Sequence, residues 1–317
     1  MIKIAITGAT GFVGGNIAKV LQMKGFEVVG LVRREVGELP WQNRMVDFAD
    51  TDSIARAIDD CSAVVHCAIA NDFNRLLDDR EYAYDSYVGL TKRVTLAANR
   101  AGAKTIFIST DWIMDGTGHL EPETSPGNAI NFYGFLKALS EQVVRDLAPE
   151  TGAICRIAGV MGRHQTAAEG PRNQDVGFGY FVYSIVEALQ KGKPFDVWTG
   201  PNVNQVTSPS LAAEIGAQIA RIVELSAAGT FHLVGDDAVT RMQLAERVCE
   251  IFGLEKALLR ETLPPESELF PAPVPVDSSL SNLSTKQRLN LGPTSLDDLL
   301  RAFKRELETG QLGFLTA

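Results

Sequence analysis

The stretch IKIAITGATGFVGGNIAKVLQMKG, residues 2–25, carries the strongest indication of the fold class. Its opening, IKIAIT, is a short apolar run rich in β-branched residues, which predicts a buried strand. Its second part has apolar residues at helical spacing and stops at Gly25, which predicts a helix closed by a glycine. Between them, Gly8, Gly11 and Gly14 form a G-x-x-G-x-x-G loop. Glycines let a diphosphate approach the backbone, and the N–H groups of the following helix point toward it, so the stretch predicts a dinucleotide-binding loop.

Strand-like and helix-like segments continue to alternate over the first half of the chain. Parallel strands need such helical crossovers, so the pattern predicts the α/β class, a Rossmann-type doubly wound parallel sheet with helices on both faces. The further predicted strands cover residues 26–32, 45–48, 63–69, 105–110 and 152–160, and the predicted helices cover 51–60, 87–102 and about 133–147.

The pattern changes beyond Gly162. A polar, glycine-rich stretch predicts a loop over 163–179, and five prolines within 263–276 forbid a helix or a central strand there. We expect an NADP-binding Rossmann domain at 1–162, to which residues of about 203–234 return, and a smaller mixed α+β C-terminal substrate domain at 163–317. In this second part the predicted helices cover 180–192, 208–225, 240–253 and 294–310, and the predicted strands cover 194–198 and 229–235.

Composition excludes several classes of partner. The formal net charge is −9 and no long block of Lys and Arg occurs, so we expect neither nucleic acid nor an anionic membrane surface as a partner. The chain lacks a long apolar run and a signal-peptide pattern, which predicts a cytoplasmic protein without membrane spans. The four cysteines lack C-x-x-C spacing and the four histidines are scattered, so we expect buried free thiols and no metal site.

The end of the predicted second strand bears on the choice of cofactor. NAD-selective sites place an acid here to bind the ribose 2′-hydroxyl, but this chain has Arg33 and Arg34. Two cations could pair with a 2′-phosphate, which favours NADP(H) over NAD(H); the alternative is an exposed basic turn. Asp47, near the end of the predicted third strand, could accept a hydrogen bond from the adenine amine or simply form a turn.

A second group of polar residues follows the predicted fifth strand. Ser109 and Thr110 close that strand, and Tyr133 and Lys137 stand four residues apart at the start of a helix, hence on one face. A nearby ammonium favours phenolate, so we expect Lys137 to lower the pKa of Tyr133 and to make it an acid–base group. Either hydroxyl of the strand end could hold the substrate oxygen. The alternative is a chance spacing of two helix residues.

Together, the glycine loop, STD at 109–111 and YGFLK at 133–137 resemble the extended short-chain dehydrogenase/reductase family, closest to the dTDP-4-dehydrorhamnose reductase subgroup. The resemblance covers nearly the whole chain and implies that Tyr133 is the acid, that Lys137 also holds the nicotinamide ribose, and that Ser109 or Thr110 binds the reacting oxygen. It implies an NADPH-dependent reductase of a carbonyl, the keto group of a nucleotide-linked deoxysugar. We expect further cofactor contacts at Thr10, Phe12, Val13, Phe48, Cys67 and Ala68.

Departures from the family pattern leave the substrate open. Ser86 replaces the usual asparagine, Trp112 replaces a common tyrosine, and an expected arginine–proline pair is missing from VPVDSSLSN. The alternatives are a nucleotide-sugar epimerase or dehydratase, a reductase of a non-sugar carbonyl, and a non-catalytic NADP-binding regulatory subunit; a homodimer is possible. The substrate-binding candidates are Asp111, Trp112, Arg163, Arg172, Asn173, Asn204 and Gln205.

Overall fold

A computed structural model describes residues 1–70, 73–166 and 174–316 of the chain. The strands are β1 (Lys3–Thr7), β2 (Glu27–Val32), β3 (Gln42–Met45), β4 (Ala63–His66), β5 (Lys104–Thr110), β6 (Ala153–Ile157), β7 (Val160–Met161), β8 (Phe195–Trp198), β9 (Val206–Thr207), β10 (Ser210–Leu211), β11 (Gly229–His232), β12 (Val239–Thr240) and β13 (Leu259–Thr262). The helices are α1 (Phe12–Met23), α2 (Thr51–Ala57), α3 (Phe73–Asp78), α4 (Arg80–Tyr84), α5 (Leu90–Ala101), α6 (Phe132–Leu147), α7 (Phe181–Gln190), α8 (Ala212–Glu224), α9 (Arg241–Phe252), α10 (Leu283–Leu289) and α11 (Leu296–Thr309).

A parallel sheet organises the molecule. Among the described residues it has seven strands in the order β11-β6-β5-β4-β1-β2-β3, and every neighbouring pair is parallel. Helices α1 and α8 pack on one face and α2 and α5 on the other, each over its own apolar core. The predicted Rossmann-type doubly wound fold is confirmed. The strand order reverses between β1 and β4, and ligands of such folds bind in the crevice at the carboxyl ends of the strands beside this point.

Some predicted boundaries were wrong. The third strand covers Gln42–Met45 rather than 45–48, so Asp47 and Phe48 follow the strand instead of belonging to it. The polar sequence QNRM forms an edge strand that is mostly accessible to solvent, so it carries no apolar signal. Helix α5 is preceded by a π-helical turn at Asp85–Gly89, where one continuous α-helix was expected.

The C-terminal elements pack around a core of their own. Helices α7, α9 and α11 enclose it together with β8, which pairs in parallel with β13. The proline-rich stretch contains one short 3-10 turn, Glu266–Glu268, in an otherwise irregular path, as the prolines predict. Strand β11 leaves this part of the chain and extends the large sheet beside β6.

Two kinds of feature are not found in ranges 1–70, 73–166 and 174–316. No helix there has both the length and the apolar character needed to cross a bilayer. Within the same ranges, no three His, Cys, Asp or Glu side chains cluster in a way that could hold a metal ion.

Candidate active site

The glycine loop between β1 and α1 has a backbone path that requires glycine. Gly8 adopts a φ of +72°, and a Cβ there would lie 3.0 Å from the backbone nitrogen of Ala68. A Cβ on Gly14 would collide with the carbonyl oxygen of Gly8. Gly11 is the N-cap of α1 and offers no side chain to the first N–H groups of the helix. The loop therefore leaves a helix N-terminus available to a diphosphate.

Residues after β7 cross this loop. The hydroxyl of Thr166 donates to the carbonyl oxygen of Thr10 over 2.7 Å. The ring of Phe12 lies 5.5 Å from that of Tyr180, while Val13 packs against the core beneath the sheet. Because Thr10 is exposed and Phe12 and Val13 are partly exposed, this turn borders the carboxyl edge of the sheet.

Cys67 and Ala68 follow β4 on the other side of the glycine loop. The backbone N–H of Ala68 donates to the Thr7 hydroxyl over 3.1 Å, and that hydroxyl also lies 2.8 Å from Nδ1 of His66. Burial raises the pKa of Cys67 to about 12, so its thiol stays protonated at neutral pH. These contacts fix the ends of β1 and β4 at the crevice.

A cavity of about 460 Å³ lies where the second and third strands end. Its lining comprises Arg33, Met45, Val46, Asp47, Phe48 and Ala49. Arg33 and Arg34 are exposed, so both cations are accessible to an anion. Asp47 Oδ1 accepts from the N–H of Ala49 over 2.9 Å, and the turn-forming alternative for Asp47 is therefore realised.

Tyr133 stands in the first turn of α6 at the same edge of the sheet. Asn131 caps the helix, its Oδ1 accepting from the N–H of Gly134 over 2.8 Å. The Tyr133 ring is partly buried and meets Tyr87 and Trp112 edge-on, with ring centroids 6.0 and 6.2 Å away. Burial raises the pKa of Tyr133 to about 12, and the neighbouring Thr110 hydroxyl opposes the rise. The phenol is therefore protonated at neutral pH.

Lys137 lies one turn further along α6 and is buried. Its ammonium donates to the carbonyl oxygen of Ile108 over 2.6 Å and lies 4.6 Å from the centre of the Phe107 ring. Burial lowers the pKa of Lys137 to about 8. The expected lowering of the Tyr133 pKa by Lys137 is not found. Burial of the phenol dominates instead, and the ammonium is directed to the backbone of β5.

The two hydroxyls that end β5 face different surroundings. Ser109 is buried in register with Arg156 of β6, and its hydroxyl oxygen has no hydrogen-bond partner among the described residues. Thr110 lies beside Tyr133, and its hydroxyl donates to Asp111 Oδ1 over 3.0 Å. Of the two hydroxyls, Thr110 is the one that lies next to the phenol.

Asp111 is buried at the end of the same strand. The hydroxyl of Ser278 donates to its Oδ2, and that hydroxyl also lies 3.1 Å from Oδ1 of Asn204. Burial raises the pKa of Asp111 to about 6, although the hydrogen bonds from Ser278 and Thr110 oppose it. A buried carboxyl group whose pKa is raised therefore lies one hydrogen bond from the Thr110 hydroxyl.

Trp112 is a substrate-side candidate whose ring meets that of Tyr133. Its ring also meets Phe270 at 5.7 Å, so it joins the phenol to an apolar cluster containing Val176 and Trp198. An indole at this position can pack against an apolar part of a ligand at the crevice.

Asn204 and Gln205 hold the irregular segment 273–278 in place. Asn204 is 1% exposed and its amide donates to the carbonyl oxygen of Pro275 over 2.8 Å. The backbone N–H of Gln205 donates to Val276 over 2.8 Å. Asn204 therefore supports the wall of the site from behind, while Gln205 is partly exposed.

Arg163 is directed toward the C-terminal helix rather than toward Tyr133. Its backbone N–H donates to the carboxylate of Glu306 over 3.0 Å, and its guanidinium lies 3.5 Å from the carbonyl oxygen of the same residue. A cation near the C-terminal end of α11 is favourable for the helix dipole. Two other substrate-side candidates, Arg172 and Asn173, lie outside the described residues.

Sequence reasoning missed two buried residues that shape the site. Ser278 contacts Asp111 across 167 positions of the chain, a separation that no local pattern can reveal. Arg241 is 1% exposed and donates to the carbonyl oxygens of Asp175, Gly177 and Asn204. Its place at the first position of a capped helix is typical of a solvent-exposed residue, so no local pattern indicates its burial.

Comparison with known proteins places these features in a family. A sequence profile of the RmlD substrate binding domain matches residues 2–308. The probable low-salt glycan biosynthesis reductase Agl14 of Haloferax volcanii is 28% identical over 94% of this chain and 96% of that protein. The methionine adenosyltransferase 2 subunit beta of Rattus norvegicus is 26% identical over 81% of this chain and 74% of its own length.

A solved structure agrees with the fold. The dTDP-4-dehydrorhamnose reductase of Bacillus anthracis, in complex with NADP, superposes with a TM-score of 0.76 at 20% identity and covers 98% of this chain and 100% of that chain. The resemblance to the extended short-chain dehydrogenase/reductases is confirmed. The match over residues 2–308 shows that this chain belongs to the RmlD substrate-binding-domain family.

Proposed function

We propose that the protein is an NADPH-dependent reductase that acts on the keto group of a nucleotide-linked deoxysugar. The observation that carries the proposal is the Tyr133–Thr110 pair at the carboxyl edge of β5, two strands from the glycine loop. A phenol and a hydroxyl that lie side by side can both contact one carbonyl oxygen. The relative from Haloferax volcanii, named a reductase of glycan biosynthesis, supports the reaction class and a sugar substrate.

The residues at the crevice fit a dinucleotide. Gly8, Gly11 and Gly14 would cradle the diphosphate, because a side chain at Gly8 or Gly14 would fill the space that the loop needs. Arg33 and Arg34 would pair with a 2′-phosphate at the rim of the 460 Å³ cavity. When bound, the reduced nicotinamide supplies a hydride to the substrate carbon.

The protein's own side chains donate the proton and position the substrate. Tyr133, protonated because burial raises its pKa, donates its hydroxyl hydrogen to the carbonyl oxygen as negative charge develops there. The hydroxyl of Thr110 binds the same carbonyl oxygen and orients it toward Tyr133. Lys137 would hold the nicotinamide ribose, since its buried ammonium lies one turn along α6 from Tyr133.

We infer that the substrate lies between the two parts of the chain, 1–162 and 163–317. The phenol belongs to the first part, whereas the aromatic neighbour of Trp112, Phe270, belongs to the second. Neither part alone encloses Tyr133, and ligand sites often form at such junctions.

A non-catalytic regulatory subunit is the second candidate. The observation in its favour is the likeness to a protein named as a subunit of methionine adenosyltransferase. The pairing of Thr110 with Tyr133 favours the reductase, because a subunit that only binds the cofactor has no need of a proton donor beside it.

The two candidates differ in one assay. The purified protein is incubated with NADPH and dTDP-4-dehydrorhamnose, and the oxidation of NADPH and the reduced sugar nucleotide are both measured. We expect one reduced sugar for each NADPH oxidised. Saturable NADPH binding without turnover would favour the regulatory subunit, and conversion of the sugar without net NADPH loss would favour an epimerase or dehydratase.

A further inference from the structure

Two aromatic side chains border the Tyr133 ring, and they differ in their access to a ligand. Tyr87 is 3% exposed and its hydroxyl donates to the carbonyl oxygen of Ala70 over 3.1 Å, so its ring belongs to the interior. Trp112 is partly exposed, and its ring centroid lies 6.2 Å from that of Tyr133. A ligand whose carbonyl oxygen reaches the Tyr133 hydroxyl therefore meets the indole rather than Tyr87.

Phe270 extends this aromatic surface away from Tyr133. Its ring lies 5.7 Å from the Trp112 ring, at an interplanar angle of 77°. Both rings are partly exposed, and four buried side chains complete an apolar cluster with them: Val176, Trp198, Val203 and Val274. Trp112 and Phe270 are thus the accessible members of an apolar surface beside the phenol, which we call the aromatic wall.

Neighbouring backbone fixes the position of the indole. A Cβ on Gly177 would lie 3.1 Å from Cζ2 of Trp112, so the glycine backbone lies directly against the six-membered ring of the indole. Arg241 is 1% exposed and donates to the carbonyl oxygen of Gly177, and also to that of Asp175 over 2.9 Å. The indole is therefore held in place by the C-terminal part of the chain.

The segment that carries Phe270 is tied to the helix that carries Tyr133. Asn131 caps this helix, and its side-chain amide donates to the carbonyl oxygen of Pro273 over 3.0 Å. Phe270 directly precedes a proline, which restricts its own backbone to extended conformations. Val274, where the stretch without the expected arginine–proline pair begins, is buried in the apolar cluster. The wall is therefore apolar and is ordered next to the phenol.

We propose that the aromatic wall receives the methyl group of the substrate's deoxysugar, and that Phe270 sets the preference for a sugar without a hydroxyl at that carbon. In a 4-keto-6-deoxy sugar the methyl carbon is two bonds from the carbonyl carbon. A carbonyl held at Tyr133 therefore brings the methyl group to the wall. A methyl group gains from contact with indole and phenyl carbons, whereas a hydroxymethyl group loses hydrogen bonds to water there. This inference rests on the proposed reductase function.

The expected preference is moderate in size. A hydroxyl added to a ligand that faces an apolar pocket changes kcat/KM by about 10- to 100-fold, because such a pocket cannot reject a similar group outright. The preference is the ratio of the two kcat/KM values. This ratio separates the proposed role from a structural one, since damage to the fold lowers both values together.

The test measures kcat/KM for two substrates in four proteins. The substrates are dTDP-4-dehydrorhamnose and its analogue with a hydroxymethyl group in place of the methyl group, each with saturating NADPH. The proteins are the wild type, Phe270→Asn, Phe270→Leu and the control Leu269→Asn. Asparagine offers an amide to the extra hydroxyl, whereas leucine keeps an apolar surface. Leu269 is a matched control because it precedes Phe270 on the same segment and is 37% exposed.

We expect the wild type, Leu269→Asn and Phe270→Leu to prefer the methyl substrate by about 10- to 100-fold, and Phe270→Asn to show a preference at least about tenfold smaller. A wild type that reduces both substrates equally well would overturn the inference and leave the reductase function intact. So would a ratio that is unchanged in Phe270→Asn, or one that falls equally in Leu269→Asn.

A wild type that reduces neither substrate would refute the proposed function, and the wall is then tested by binding alone. Isothermal titration in the presence of NADP compares dTDP-rhamnose with its 6-hydroxy analogue. Tighter binding of dTDP-rhamnose in the wild type, lost in Phe270→Asn, would support the wall. Equal affinities in the wild type, or no binding of either compound, would overturn it.

Discussion

Substitution of Glu141 by glutamine should destabilise the protein far more than substitution of its exposed partner, Arg145, by alanine. Glu141 is buried on the same face of α6 as Tyr133 and Lys137, and its carboxylate accepts from Arg156 over 3.0 and 2.9 Å. Burial alone would raise the pKa of Glu141, but the bonds from Arg156 bring it below its ordinary value. Arg145 bonds to the same carboxylate over 2.7 Å from a position that is 39% exposed.

The distances set the expected size of the effect. Coulomb attraction across 2.9 Å at an effective dielectric constant of about 20 is about 6 kcal/mol. The amide of Glu141→Gln keeps part of the hydrogen bonding but leaves the guanidinium of Arg156, which is 0% exposed, without its counter-charge. We expect a loss of about 3–5 kcal/mol in the free energy of unfolding, as for other broken buried pairs. Arg145→Ala should cost about 0.3–0.5 kcal/mol.

Urea unfolding followed by circular dichroism measures both variants under the same conditions. The same experiment with NADPH shows whether the loosened helix also weakens cofactor binding, because Lys137 lies one turn from Glu141. If Glu141→Gln costs no more than Arg145→Ala, then the buried pair does not hold α6 against the sheet.

Three further outcomes follow from the geometry. Arg33→Ala should weaken NADPH binding about tenfold or more, because one charge-assisted bond to phosphate contributes about 1.5–3 kcal/mol, while NADH binding should be unchanged. Fluorescence titration measures both affinities. Equal NADPH and NADH affinities in the wild type would contradict the prediction. Gly14→Ala should reduce NADPH affinity and thermal stability together, since its Cβ would collide with Gly8; a melting temperature and dissociation constant like those of the wild type would show that the loop tolerates a side chain. Burial lowers the folded-state pKa of Lys137 from 10.5 to about 8. Between these two pH values the unfolded chain binds more protons than the folded chain, so the contribution of Lys137 to stability should rise from pH 8 to about 10.5. Lys137→Met should remove that rise in urea titrations across this pH range; an identical rise in the variant would assign it to another group.

The residues closest to the glycine loop could be predicted because local chemistry determines them. Gly8 needs a left-handed φ, and Gly14 needs the space of a missing Cβ. The strand before the loop and the helix after it follow from short apolar patterns. The i, i+4 spacing placed Tyr133 and Lys137 on one face, but it did not predict that the Lys137 ammonium bonds to the backbone of β5.

Other parts of the site depend on contacts between distant segments. Alternation along β5 separates Ser109 from Thr110, but only the position of α6 decides which hydroxyl meets the phenol. Ser278 reaches Asp111 through a segment with no regular structure. Arg163 lies in a polar stretch that predicts a ligand contact, yet packing against α11 directs it to Glu306. Such pairings require the tertiary fold and leave no periodic signal in the sequence.

Under the proposed function, Tyr133 delivers the proton when NADPH reduces the substrate carbonyl. The most direct measurement is the single-turnover rate of NADPH oxidation with dTDP-4-dehydrorhamnose in wild type and Tyr133→Phe, with NADPH affinity measured in parallel. Phenylalanine keeps the ring contacts with Tyr87 and Trp112 and removes only the donor. The rate should fall about 10²- to 10⁴-fold at unchanged NADPH affinity. A Tyr133→Phe variant that oxidises NADPH at the wild-type rate would contradict the account and assign the proton to another group.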